Sequence, residues 1–197
     1  MNILDWAELK LEVNDCRKCR LAKTRKKIVF GMGNPYAGIM IIGEGPGQQE
    51  DEQGLPFVGK SGQLLDKILD ACGFTRSEHV FIANIVKCRP PENREPAPDE
   101  REACIGYLLR QIEMIDPKII ILLGRTALQG LIGGGLKVTQ QRGQWLTWKN
   151  IEIMTTYHPS ALLRNPNLKP EAWNDFKKVV EKYIDLIDSE FVPPYSK

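Results

Sequence analysis

Four short apolar runs punctuate the chain: Ile39 to Ile42, Val80 to Ala83, Ile119 to Leu123, and Ile151 to Tyr157. Runs of this length read as buried strands. Helical patterns lie between and after them. Leu64, Leu65, Ile68, Leu69 and Cys72 fall on one helical face, which marks Cys72 as a core residue, and Gly73 suits the C-terminal cap. A second helix starts near Pro98-Asp99-Glu100, with proline in the first turn and acids at the positive end, and stops before Asp116-Pro117. A third covers Thr126 to Ile132 and ends at Gly133-Gly134-Gly135. An amphipathic helix runs from Glu171 to Ile187, and a first helix from Asp5 to Val13. Strands alternating with helices predict a parallel sheet covered on both faces, a three-layer α/β (αβα) architecture. We expect a single domain over residues 1–191 and a flexible tail over 192–197. No internal repeat is visible, and Arg89 to Pro98 reads as a surface loop.

Polar groups cluster where the apolar runs end. Gly43-Glu44-Gly45-Pro46-Gly47 follows the first run, and Asn84 and Lys87-Cys88-Arg89 follow the second. Gly124-Arg125-Thr126 ends the third, and His158-Pro159-Ser160 the fourth. Open α/β sheets bind ligands outside the carboxyl ends of their strands. These segments therefore predict one rim, with a Glu, an Asn and a His facing a shared crevice.

Composition changes this picture little. Hydrophobic residues make up 42% of 197 residues, as expected of a globular chain. No apolar run approaches the roughly 18 residues of a membrane span, and the N-terminus lacks a signal-peptide core, so a cytoplasmic, nucleoid-associated protein with no membrane contact is expected. The net charge of +2 permits nucleic-acid binding without arguing for it. Local clusters would have to carry it: Arg17, Lys18, Arg20 and then Lys23, Arg25, Lys26 and Lys27. Alone, such a run is an ordinary solvated surface.

Cysteine adds candidate chemistry. Cys16 and Cys19 form a CxxC pair, Cys88 and Cys104 follow far downstream, and Cys72 lies on its helix's apolar face. In a cytosolic chain, metal or redox use precedes a disulfide framework. Four thiolates hold either zinc or a cubane cluster, and spacing separates these poorly. The glycine-rich turn GEGPGQQED has neither GxGxxG nor GK[ST], so nucleotide-binding fingerprints fail. Its Glu44, Glu50, Asp51 and Glu52 would repel a triphosphate.

Taken together, CRKC (16–19), GEGPGQQED (43–51), GLPFVGKSGQLLD (54–66), NIVKCRPPENREP (84–96), Cys104 and YHPSALLRNP (157–166) resemble the family 4 uracil-DNA glycosylases, the iron–sulfur branch of the uracil glycosylase superfamily. The motifs keep the family's order and cysteine spacing from residue 16 to about 180. The resemblance implies a 4Fe–4S cluster on Cys16, Cys19, Cys88 and Cys104, and a four-stranded parallel sheet in the order 2-1-3-4. It also implies uracil-containing DNA as substrate, with base excision repair as the setting.

Roles for the rim residues follow from that resemblance. Asn84 is expected to read the extruded base, donating to O4 and accepting from N3–H, a pattern cytosine reverses. Such hydrogen-bonded sites discriminate by about 10⁴ or more. Phe57 stacks on the base, and Glu50 lies at the C5 edge, where it would exclude the thymine methyl. His158 donates to O2 and stabilises the leaving anion. Glu44 supports the attacking water, and the Gly43–Gly45 backbone helps bind the base. Gly45 stands where better-known uracil glycosylases carry an Asp. Leu162, Leu163 and Arg164 form a loop that enters the duplex, one leucine filling the gap and Arg164 meeting a phosphate. His79 is structural. Taken singly, Asn84 and His158 read as strand-end structural residues; it is their combination that points to a site.

Two rivals belong to other classes: a non-enzymatic iron–sulfur electron carrier, and an iron–sulfur or zinc-stabilised DNA-binding protein without glycosylase activity. A related glycosylase branch that becomes trapped on DNA carries a histidine-bearing loop after the Asn motif. Residues 87–98 contain no histidine, which sets it aside. The chain is expected to be a monomer, and a sliding-clamp contact is not inferable.

Overall fold

Every residue of the runs 39–43, 80–84 and 119–123 is buried, as a strand covered on both faces requires. The computed structural model describes residues 3–196. Its elements in chain order are α1 (Ile3–Asn14), β1 (Met32–Gly33), β2 (Ile39–Gly43), α2 (Gln48–Gln53), α3 (Lys60–Cys72), β3 (Val80–Asn84) and α4 (Pro98–Ile115). Then come β4 (Ile119–Leu123), α5 (Arg125–Leu131), α6 (Val138–Gln141), β5 (Trp145–Trp148), β6 (Ile151–Thr156), α7 (Pro159–Arg164) and α8 (Lys169–Leu186).

The sheet order is β1-β3-β2-β4-β6-β5. Its four parallel strands lie as β3-β2-β4-β6, the expected 2-1-3-4. The four-strand expectation nevertheless falls short by two antiparallel edges. β1 has only two residues and pairs with β3. β5 pairs with β6 through a hairpin whose Lys149 and Asn150 both have positive φ, 49° and 64°. That is the backbone of a tight hairpin turn, made here without the glycine that normally signals it.

Alternation along the strands splits the core in two. Met40, Ile42, Ile120 and Leu122 face α1, α4 and α5. Ile39, Ile41, Ile119 and Ile121 face α3 and α8, where Cys72 is fully buried. The result is three layers, helices–sheet–helices.

Two aromatic contacts lie at the C-terminal end of the chain. Phe191 stacks on Phe74 at 5.3 Å between ring centres, and Tyr195 meets Trp173 edge-on at 5.3 Å. Gly73, the left-handed cap of α3, makes room for Pro194: a β-carbon there would lie 2.9 Å from its Cδ. These contacts touch a segment that stays largely exposed, with Val192 and Tyr195 open to solvent; Lys197 lies outside the described residues.

Because β2 neighbours β3 on one side and β4 on the other, the chain reverses direction across the sheet at β2. The crevice beyond its carboxyl end is the place where such sheets bind ligands.

Candidate active site

A cavity of about 630 Å³ opens at that rim. Glu44, Gly45, Glu50, Phe57, Asn84, His158 and Arg164 all line it, so residues from four separated motifs meet at one place.

Gly43 makes the convergence possible. A β-carbon at this position would sit 2.5 Å from Asn84 Oδ1 and 2.6 Å from Phe57 Cζ. Any side chain would push the amide and the ring apart. Asn84 ends β3 in register with Gly43 and is 2% exposed. Its Oδ1 is buried without a hydrogen-bond partner. A buried unpaired acceptor costs about 1–3 kcal/mol, and such groups are rare outside functional sites. Across the cavity, the Phe57 and His158 rings lie 5.6 Å apart between centres, tilted by 36°.

His158 caps α7. Its Nδ1 accepts the Ser160 N–H at 3.2 Å and lies 2.8 Å from the Ser160 hydroxyl. An Nδ1 that accepts leaves the proton on Nε2, so the ring is a neutral donor at that nitrogen. Burial pushes its pKa down to about 4; nearby Arg164 acts in the same direction and Glu50 in the opposite one.

Glu44 accepts a hydrogen bond from the Thr126 hydroxyl at the start of α5. Burial raises its pKa, the Thr126 bond opposes that, Glu95 adds to it, and Arg125 and Arg101 pull it back. The sequence placed Thr126 on the rim but gave no sign of this pairing, since its partner is 82 residues away.

Glu50 is held by backbone groups. Its Oε1 accepts the N–H groups of Val58 and Gly59, each at 2.8 Å, and its Oε2 accepts Gly47 N–H at 3.1 Å. The carboxylate lines the cavity but is spent on holding two turns together. It is not a solvated loop acid but a fixed carboxylate on the cavity wall.

The segment expected to enter DNA as a loop is the short helix α7. Leu162 is 1% exposed and belongs to the interior, whereas Leu163 is 44% exposed. Only Leu163 and the exposed Arg164 are available outside.

Cys16, Cys19, Cys88 and Cys104 line one small separate cavity. Arg25 donates to Cys88 Sγ at 3.3 Å, and the Lys87 N–H to Cys104 Sγ at 3.3 Å. Burial pushes the Cys88 thiol up to about 11 and raises that of Cys104. As thiolates both would need a cation beside them. Among the described residues, no group of three or more His, Cys, Asp or Glu side chains closes round a single ion. Much of the neighbouring basic run is internally paired: Arg20 with Asp99 and Glu100, Lys18 with Glu12, Lys26 with Glu52. It is therefore a smaller free cationic surface than the composition suggested. His79 Nδ1 accepts Thr75 N–H at 3.2 Å, and its ring lies against Phe74.

Comparison with known proteins agrees with this site. Residues 30–177 match the family model of the uracil DNA glycosylase superfamily. The chain is 47% identical over 178 residues to a type-4 uracil-DNA glycosylase of Saccharolobus solfataricus, covering 86% of this chain and 82% of the relative. It is 44% identical over 185 residues to that of Sulfurisphaera tokodaii, covering 90% and 84%. With that of Thermotoga maritima it shares 42% over 179 residues, covering 90% of each. No helix among the described residues is long and apolar enough to cross a membrane. The motifs, the fold and these relatives agree: the chain belongs to the type-4 branch of the uracil-DNA glycosylase superfamily.

Proposed function

We propose that this protein is a DNA-repair glycosylase that hydrolyses the N-glycosidic bond of uracil in DNA and leaves an abasic site. The observation that carries this reading is the orphan acceptor of Asn84, buried beside an aromatic face and a neutral imidazole in a single cavity. A base buried in a duplex is out of reach, so the nucleotide must be extruded. Asn84 Oδ1 then accepts from N3–H and its amide donates to O4, which relieves the cost of the unpaired atom. Phe57 stacks on the ring, a contact worth about 1–3 kcal/mol.

Cleavage moves the bonding electron pair from C1′–N1 onto the base. His158 Nε2–H donates to O2, where that charge develops, and a neutral imidazole suffices for this. Water then bonds to C1′, oriented by Glu44, which takes up or passes on its proton. The Glu44 carboxylate is itself held by Thr126. Leu163 fills the space left by the base, and Arg164 meets a phosphate.

Cys16, Cys19, Cys88 and Cys104 would hold a 4Fe–4S cluster. The donor set fits such a group: four sulfurs on one cavity, with N–H donors to two of them. When bound, the group supplies a structural cross-link between the N-terminal segment, the Cys88 loop and α4. The hydrolysis transfers no electrons and needs none from it.

The decisive experiment incubates the protein with a uracil-containing oligonucleotide without added metal, then cleaves abasic sites with alkali. Strand scission that is lost in Asn84→Asp and His158→Ala is expected. Retained binding with no scission would mark a DNA-binding protein instead. Iron and visible absorbance of the purified protein separate iron–sulfur from zinc.

A further inference from the structure

Phe57 has a backbone that a side chain seldom adopts unaided. Its φ is +52°, in the left-handed region, where non-glycine residues are uncommon. Something outside the residue must hold it there, and the structure identifies what does.

The carbonyls of Pro56 and Phe57 both turn to Arg76, in the loop between α3 and β3. Arg76 Nη1 donates to Pro56 O at 2.9 Å, and Nη2 donates to Phe57 O at 2.7 Å. Its Nε donates to Asp66 Oδ1 at 2.7 Å, which aims the fork. Arg76 is only 18% exposed and does not itself line the cavity. The approach is close enough that α3 must carry glycine at 62, since a β-carbon there would lie 1.8 Å from Phe57 O. From the other side, Glu50 holds the next two N–H groups, those of Val58 and Gly59. The turn is thus gripped by its carbonyls and by its amides, and its ring is left facing the cavity.

We propose that Arg76, aimed by Asp66, is a positioning residue for base recognition: its guanidinium fixes the Phe57 turn so that the ring presents a preformed stacking face to the extruded pyrimidine. A planar fork with parallel N–H groups matches two adjacent carbonyls, which an ammonium does not. Preformed geometry spares the base the cost of ordering the turn when it binds. This inference rests on Phe57 as the stacking platform.

The test compares Arg76→Ala, Arg76→Lys, Asp66→Ala, Phe57→Leu and the double variant Arg76→Ala/Phe57→Leu. Three readouts are needed: single-turnover excision rate, inhibition by free uracil, and affinity for abasic DNA. Arg76→Ala is expected to weaken uracil inhibition and slow excision about tenfold, the scale of one base–aromatic stack. Abasic DNA, which presents no base to Phe57, keeps its affinity. Asp66→Ala gives a smaller loss in the same direction, and Arg76→Lys recovers part of it. In the Phe57→Leu background, Arg76→Ala adds nothing beyond about twofold.

Fully additive losses, or unchanged uracil inhibition in Arg76→Ala, overturn the inference while leaving the stacking role of Phe57 intact. If Phe57→Leu itself changes nothing, the stacking reading fails and this inference with it. Should Arg76→Ala not fold, Asp66→Ala alone and combined with Phe57→Leu decides the matter by the same additivity criterion.

Discussion

The ammonium of Lys87 donates to the main-chain carbonyl of Asn84 across 3.1 Å, and Lys87 is 1% exposed. It also donates to Gln111 Oε1 at 2.6 Å, while Gln111 Nε2 donates to Phe30 O at 3.0 Å. Among the described residues no carboxylate pairs with it. A buried cation therefore ties the strand end that carries the proposed base reader to α4, the helix of Cys104. Lys87→Met keeps the bulk and strands two acceptors. The expected cost is about 1–3 kcal/mol, since removal of the buried charge offsets part of the loss. Thermal unfolding of the purified protein measures it, alongside excision rate. An unchanged melting temperature with full activity would show that the tie is idle.

His158 predicts a pH effect with a definite sign. Its pKa is lowered from the ordinary 6.5 to about 4, first by burial and then by Arg164. Between those values the unfolded chain binds a proton that the folded site refuses. Stability is therefore complete above pH 6.5 and falls as pH drops through the window to about 4. Replacing His158 by Asn removes this contribution. The stability difference between wild type and variant should narrow or reverse on acidification over that range, measured by urea unfolding at several pH values. A difference independent of pH from 7 to 4 would contradict a neutral imidazole.

Glu100 shows the opposite case. It is completely buried and accepts from Arg20 Nε at 2.7 Å, Arg94 Nη1 and Nη2 at 2.8 and 2.6 Å, and Ala97 N at 2.8 Å. Arg94 is the main reason its pKa is held down at about 2 from an ordinary 4.5; Arg20 and the Ala97 N–H add to it, and burial works against it. The stabilisation is present above pH 4.5 and is lost as pH falls towards 2. Both arginines are substantially exposed, so solvent weakens the pairing. Glu100→Gln should cost about 1–3 kcal/mol at pH 7 and much less near pH 2. Since Arg94 lines the cavity, the same variant should loosen the 90–97 rim, seen as faster amide exchange there. Equal stability loss at both pH values would leave the charge with no role.

How much of this was legible depends on the range of the interaction. β2, β3 and β4 announce themselves because burial on both faces demands apolar runs, and β6 by Ile151, Ile153 and Met154 around a half-buried Glu152. β1 and β5 do not: two residues make no pattern, and Trp-Leu-Thr-Trp closes with Lys149-Asn150 where the usual signal is Asn-Gly. The residues meeting at the rim were legible because each follows a strand. What escaped was how they are held. Arg76 acts on carbonyls 19 and 20 residues away, and Thr126 on a carboxylate 82 residues away. Backbone-directed bonds leave no trace in side-chain pattern, and the same is true of Glu50, whose three partners are all N–H groups.

Leu162 and Leu163 are adjacent and identical in chemistry, yet the fold assigns them opposite fates. Leu162 is 1% exposed within the interior, and Leu163 is 44% exposed, next in the chain to Arg164, which lines the cavity. Leu162→Ala should therefore lower stability by about 2–5 kcal/mol, the range for emptying a packed leucine site. Leu163→Ala deletes surface and should change stability by less than about 0.5 kcal/mol. If Leu163 is the wedge that replaces the extruded base, its loss acts on flipping. Excision from duplex DNA then slows, most for a well-stacked uracil–adenine pair. Excision from a single strand, where there is little stack to disrupt, is nearly unaffected. Paired single-turnover assays on duplex and single-stranded substrates, with melting curves for both variants, separate the two effects. Equal slowing on both substrates would remove Leu163 from the duplex-opening step and leave Arg164 as the exposed candidate on this helix.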